Sequence, residues 1–133
     1  MNENDIKRFL IAQEQLPKNF PTHRHQSEFW ESLGRAVGTF GFLEEVLGKA
    51  IFALSATRHY EEDEINSAYQ KWLPKLERAL YDQLAGLIDS FGKEVREHPK
   101  STINNIDELL MDLKKASKMR NVLCHGSWYP PDD

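Results

Sequence analysis

The chain has 133 residues, a formal charge of −4, 40% apolar residues and 29% charged ones. That is the size of one domain, too apolar for a disordered chain and too acidic overall to attract nucleic acid except through a local basic patch. No apolar run approaches the roughly 18 residues that cross a bilayer, so no membrane partner is expected.

The opening stretch MNENDIKRFL has neither the basic nor the apolar block of a secretion signal. Cys124 is the only cysteine, so an intrachain disulfide cannot form and the cytoplasm, a reducing compartment, is the expected location. Apolar residues recur at spacings of three and four, and alternation at the strand period is almost absent. A short helix is expected over about Asp5 to Gln15, presenting Ile6, Phe9, Leu10 and Leu16 and ending before Pro17. Residues 17–26, PKNFPTHRHQ, read as a connector, because two prolines in five residues cannot continue a helix.

The first long helix is expected from about Ser27, as N-cap, to Thr57, with Glu28 and Glu31 complementing the helix dipole. Trp30, Leu33, Val37, Phe40, Leu47, Ile51 and Leu54 form its apolar stripe, interrupted by Glu44. Gly34, Gly38, Gly41 and Gly48 form a second stripe. Each glycine costs a helix about 1 kcal/mol against alanine, so the line points to close approach by another backbone or to a local bend. The next helical region, about Glu62 to Glu97, contains Pro74, where a kink or restart is expected. EHPKST is a break, Asn105 with Glu108 resembles a capping box, and the last long helix ends at Gly126. Residues 129–133 read as a loose tail. The expected fold is all-α: one domain over 1–133, an up-and-down bundle of four or five helices.

One stretch does not fit a plain bundle. In MRNVLCHGSWY, residues 119–129, Arg120 falls in line with Leu109, Leu113, Ala116 and Leu123. A guanidinium on that line must be paired, face another subunit or line a pocket, because an unpaired buried charge is very costly. Asn121 and His125 are four apart and share a helix face, where the amide is placed to fix the imidazole tautomer. Arg120 and His125 are five apart, about 140° around an ideal helix. Convergence of the two on one atom therefore needs unwinding at the helix end or a second copy of the helix.

The run Arg-Asn-Val-Leu-Cys-His resembles the R-x(4–6)-H signature of the HEPN superfamily, and its place near the end of the last long helix of an all-helical domain is similar too. The resemblance implies a HEPN-like bundle that homodimerises and brings two copies of the motif to a shared cleft. It implies metal-independent cleavage of RNA to a 2′,3′-cyclic phosphate, in a toxin or an antiviral or stress effector, with no cofactor. Arg120 matches the signature arginine, Asn121 the polar residue beside it and His125 the signature histidine. An antitoxin or other cognate inhibitor is a further partner that such effectors keep. Two departures stand out. Ser127 occupies the place where one branch carries a tyrosine modified by a nucleotidyltransferase antitoxin. Lys115 and Met119 occupy the places where other branches carry an E-x(3)-K-R arrangement.

The chemistry suits these side chains. A histidine that titrates near neutrality exchanges protons with the 2′-OH or the leaving oxygen, and an arginine holds the phosphate oxygens as charge builds. Lys114, Lys115 and Lys118 lie just upstream as candidate contacts to an RNA backbone. The plain alternative for Arg120 is an ion pair with Glu44 or Glu45. The alternatives for the whole chain are a catalytically silent HEPN-like module binding nucleotide, RNA or a protein partner, and an interaction protein that packs through its glycine face. Cys124 reads as a small buried thiol, and YEEDE at 60–64 as an acidic helix start. HRH at 23–25 reads as solvated loop, with no metal site expected, and the Trp30, Trp72 and Phe stripes read as core rather than base-stacking platforms.

Overall fold

The computed structural model describes residues 10–130, and its described residues contain four α-helices, one 3-10 turn and no strand. Helix α1 spans Ser27–Ala56, α2 Ile65–Tyr81, α3 Leu84–Glu97 and α4 Ile106–His125. The all-α bundle follows from the three-and-four spacing of the apolar residues. Residues 5–9 of the expected first helix lie outside the described residues. Its remainder is only a 3-10 turn over Gln13–Gln15, with Leu10 and Ile11 exposed, because nothing packs against them.

Side-chain contacts fix the directions of the helices. Gly48 faces the Ala79 carbonyl and Ser55 meets Trp72, so α1 and α2 run antiparallel. Thr57 meets His98, and Leu47 and Ile51 share the core with Leu84, Leu87 and Ile88, so α3 runs in the same direction as α1. Helix α4 then returns: Leu110 packs on Gly92 and Asp107 pairs with Arg96. A Cβ at Gly92 would stand 2.7 Å from Leu110 Cδ1, so this glycine is what lets α3 and α4 close up.

Helix α3 sits at the centre. Leu84, Leu87, Ile88 and Val95 are all buried, and the first three share one core cluster with Leu47 and Ile51 of α1 and Leu110 of α4. Thirty residues make α1 about 45 Å long, roughly twice the length of α3. Its first half therefore overhangs the core. Among the four glycines of α1 only Gly48 approaches another backbone; a Cβ at Gly34, Gly38 or Gly41 would meet nothing within 4 Å. Among the described residues the expected close approach is thus confined to Gly48. Phe42 and Val46 continue the line of Gly34 and Gly38 at four-residue steps, and both are exposed.

Several boundaries differ from the sequence expectations. Gln26, not Ser27, is the N-cap of α1, and its side chain makes no capping bond. Asn105 does cap α4, but no side-chain capping bond forms. Helix α2 continues through Pro74 and breaks instead at Asp82 and Gln83, both extended, with ψ of 148° and 164°. Pro74 removes one internal hydrogen bond, a loss that the packing of Trp72 and Ala79 against α1 on either side offsets. The acidic residues 61–64 lie in a turn before α2 rather than in its first turn. In α4 the core-facing line runs through Ile106, Leu110, Leu113 and Ser117; Leu109 and Met119 face outwards. No helix among the described residues is long and apolar enough to cross a membrane.

Candidate active site at the end of helix α4

The core-facing line of α4 reaches Arg120 three residues after buried Ser117. Its side chain is 23% exposed, and Nε lies 3.6 Å from Glu44 Oε1 on α1. Glu44, which interrupts the apolar stripe, is thus the carboxylate within reach. Glu45 faces elsewhere and pairs with Lys49 one turn on, whose hydrogen bond and charge hold the Glu45 carboxyl below its ordinary range. At 3.6 Å the Arg120–Glu44 contact is an ion pair without a good hydrogen bond, so most of the guanidinium's donors remain free.

Asn121 and His125 are exposed and share a shallow groove with Gln83, Val122 and Gly126. Arg120 does not line that groove. The single helix sends the arginine towards α1 and the histidine towards solvent, as five residues of α-helix dictate. Asn121 stands between them: its Oδ1 accepts a long 3.4 Å hydrogen bond from Arg120 Nη1. Among the described residues it makes no bond to the imidazole, so it does not fix the histidine tautomer.

The helix ends at Gly126 by turning extended, with φ −72° and ψ 149°, rather than in the left-handed conformation. A side chain is excluded there for another reason. A Cβ would stand 2.6 Å from the Val122 carbonyl oxygen, to which Gly126 N also donates, and 3.4 Å from the Trp128 ring. Cys124, expected to be a buried thiol, is exposed, because α4 at this end has a neighbour on one side only. Lys114, Lys115 and Lys118 are exposed; Lys115 Nζ lies 3.9 Å from Asp112, too far for a strong pair. No group of three or more His, Cys, Asp or Glu side chains among the described residues is placed to hold a metal ion.

Two clusters escaped the sequence reading. The first is a clasp between the connector and the C-terminal segment. His25 is half-buried, stacks on Phe29 at 4.0 Å, and its Nε2 lies 3.0 Å from the Trp128 carbonyl oxygen. Trp128 meets the Phe29 ring edge-on, and the Arg24 guanidinium lies over Tyr129, 5.6 Å from its centroid. The connector is shaped for this by Thr22, which donates to Asn19 O at 2.8 Å and accepts from Trp30 Nε1 at 2.8 Å. The segment after His125 is therefore tied down as far as Tyr129; of HRH only His25 is half-buried in the clasp, while His23 and Arg24 stay exposed in the loop.

The second cluster is a buried ion network. Glu94 is only 4% exposed; its carboxylate accepts from Arg58 Nη2 at 2.6 Å and from Lys75 Nζ at 3.2 Å. Arg58 also reaches Glu97 at 3.1 Å, and its Nε is buried without a partner. Beside it Trp72 Nε1 donates to Ser55 Oγ at 2.9 Å, so Trp72 is half-buried rather than core. These groups line a pocket of about 350 Å³ and tie α1, α2 and α3 together.

No protein-family model, curated protein or solved structure matches the chain. Its function has to be argued from its own geometry.

Proposed function

We propose that this chain is a HEPN-like domain that cleaves RNA as a homodimer, with Arg120 and His125 contributed to a shared cleft. The observation that carries this reading is the station of Arg120: a half-buried guanidinium, steadied by Glu44, at the end of the helix that presents His125 to solvent five residues later. Neither group completes a site within one chain. A two-fold axis beside the ends of two α4 helices supplies the missing half of each.

The reaction needs no group that the chain lacks. The ribose 2′-OH attacks the adjacent phosphorus and gives up its proton to an imidazole. The bond from phosphorus to the 5′ oxygen breaks, and that oxygen takes a proton from an imidazolium. The products are a 2′,3′-cyclic phosphate and a 5′-hydroxyl. Arg120 holds the non-bridging oxygens as negative charge grows on them. Asn121 helps to fix the arginine rather than the histidine. Purified protein is expected to cut RNA equally with and without EDTA and to leave cyclic phosphate ends. Intact RNA under both conditions contradicts the proposal.

Two features favour a dimer. Seven hydrophobic side chains among the described residues are buried, whereas Phe42, Val46, Met119 and Val122 on α1 and α4 stay exposed. The face of Gly34 and Gly38 is open and free of Cβ atoms. On an isolated chain Gly38→Ala relieves helix strain by about 1 kcal/mol, since nothing obstructs the new methyl. If that face is where two chains meet, the same change weakens self-association. The expected result is a higher melting temperature in dilute solution together with a raised dimer dissociation constant by analytical ultracentrifugation. An unchanged dissociation constant excludes the glycine face from the interface.

A further inference from the structure

The stretches 15–27, between Glu14 and Glu28, and 113–131, between Asp112 and Asp132, contain no carboxylate. Together they hold Lys18, Arg24, Lys114, Lys115, Lys118 and Arg120, with three of the five histidines, leaving eleven cations elsewhere against all twenty-one carboxylates. Nearly ninety residues separate the two stretches, yet the fold joins them. His25 bonds the Trp128 carbonyl, Phe29 touches the Trp128 ring and Arg24 covers Tyr129. Arg24 and the rings of Phe29, Trp128 and Tyr129 are thereby gathered beside the end of α4.

This surface also carries exposed aromatic rings. Tyr129 is 69% exposed and Phe20 55%, and His23 stacks on Phe20 with centroids 5.6 Å apart. Lys18 and Arg24 have no carboxylate within ion-pair reach among the described residues. Rings that keep an open face, interleaved with unpaired cations, are the combination that grips unpaired nucleotides: bases stack on the rings while the cations follow the phosphates. A duplex hides its base faces and an acidic peptide has none, so neither uses both halves of the surface.

We infer that the connector 17–25 and the segment 126–130 form a binding strip for single-stranded RNA, with Tyr129 and Phe20 as stacking platforms and Arg24 and Lys18 as phosphate contacts. Because the strip begins at Gly126, directly after His125, a bound strand is led to the end of α4. The placement of the cleaved bond rests on the nuclease proposal; the binding does not.

The test is made on full-length His125→Ala protein, so that cleavage does not obscure binding. Fluorescence anisotropy follows a labelled 12-nucleotide RNA, the same strand annealed to its complement, and polyglutamate as competitor. Single-stranded RNA is expected to bind at least about tenfold more tightly than the duplex and to resist polyglutamate. Tyr129→Ala and Phe20→Ala are each expected to weaken it about tenfold. Arg24→Ala is expected to reduce the slope of log affinity against log salt by about 0.7, the value for one phosphate contact on a single strand. Circular dichroism checks that each variant is folded. Equal binding of duplex and single strand, full displacement by polyglutamate, or unchanged affinity in both aromatic variants overturns the strip. Wild-type protein that binds in this way but leaves RNA intact sinks the nuclease proposal alone. Cleavage with no effect of the strip variants sinks the strip alone.

Discussion

Replacing His125 or Arg120 with alanine is expected to lower RNA cleavage by about 10²- to 10⁴-fold each, without lowering the melting temperature by more than a few degrees. His125 is exposed and makes no hydrogen bond to another described residue, so its loss removes chemistry and little packing. Arg120 is half-buried, and its removal leaves Glu44, 29% exposed, in contact with water. The two losses should differ in kind. Without His125 the proton has no carrier. Without Arg120 the carrier remains, but the charge growing on the phosphate oxygens goes unmet. Asn121→Ala, which removes only a 3.4 Å contact to the arginine, is expected to cost far less, about tenfold or under. Equal activity of wild type and His125→Ala would remove the histidine from the reaction.

The largest effect on stability is expected at Glu94 of α3, outside the candidate active site. Its carboxylate is 4% exposed and serves Arg58, just past the end of α1, and Lys75 of α2. Glu94→Ala leaves Arg58, itself 17% exposed, with Glu97 as its remaining carboxylate and with an Nε that already lacks a partner. Breaking a buried pair on one side costs about 3–5 kcal/mol, and the half-exposed Glu97 keeps the value near the lower end. The melting temperature should fall by about 10 °C. Glu97→Ala, by contrast, removes the more exposed carboxylate and should cost under about 1 kcal/mol. Thermal unfolding followed by circular dichroism separates the two. A Glu94→Ala variant as stable as wild type would mean that water already does the work of the ion pair.

Local signals in the sequence located the helices well and the couplings between distant residues poorly. The connector prolines and Gly126 bracket helices whose ends fall within a residue or two of expectation, because each acts through its own backbone. The break at Asp82–Gln83 carries neither proline nor glycine, whereas Pro74 offers a stop signal that packing overrides. Glu44 was legible as a partner for Arg120, since one charge in an apolar stripe demands an explanation. Arg58 and Glu94 were not, because they are 36 residues apart and each sits among charges that read as a solvated face. The same distance effect hid His25, whose acceptor lies 103 residues away. The glycine stripe was read from spacing alone, and only the packing separates Gly48, which closes on α2, from Gly34 and Gly38, which meet none of the described residues.

The shared cleft can be tested by mixing. Arg120→Ala and His125→Ala chains, each inactive alone, are unfolded together, refolded at equal amounts and assayed for RNA cleavage once size measurement shows that they pair. Half of the dimers are then hybrids, and in each hybrid one of the two symmetry-related sites regains an intact arginine from one chain and an intact histidine from the other. About a quarter of the wild-type activity should return. Hybrid dimers no more active than the separate variants would show that Arg120 and His125 of different chains do not act on the same phosphodiester.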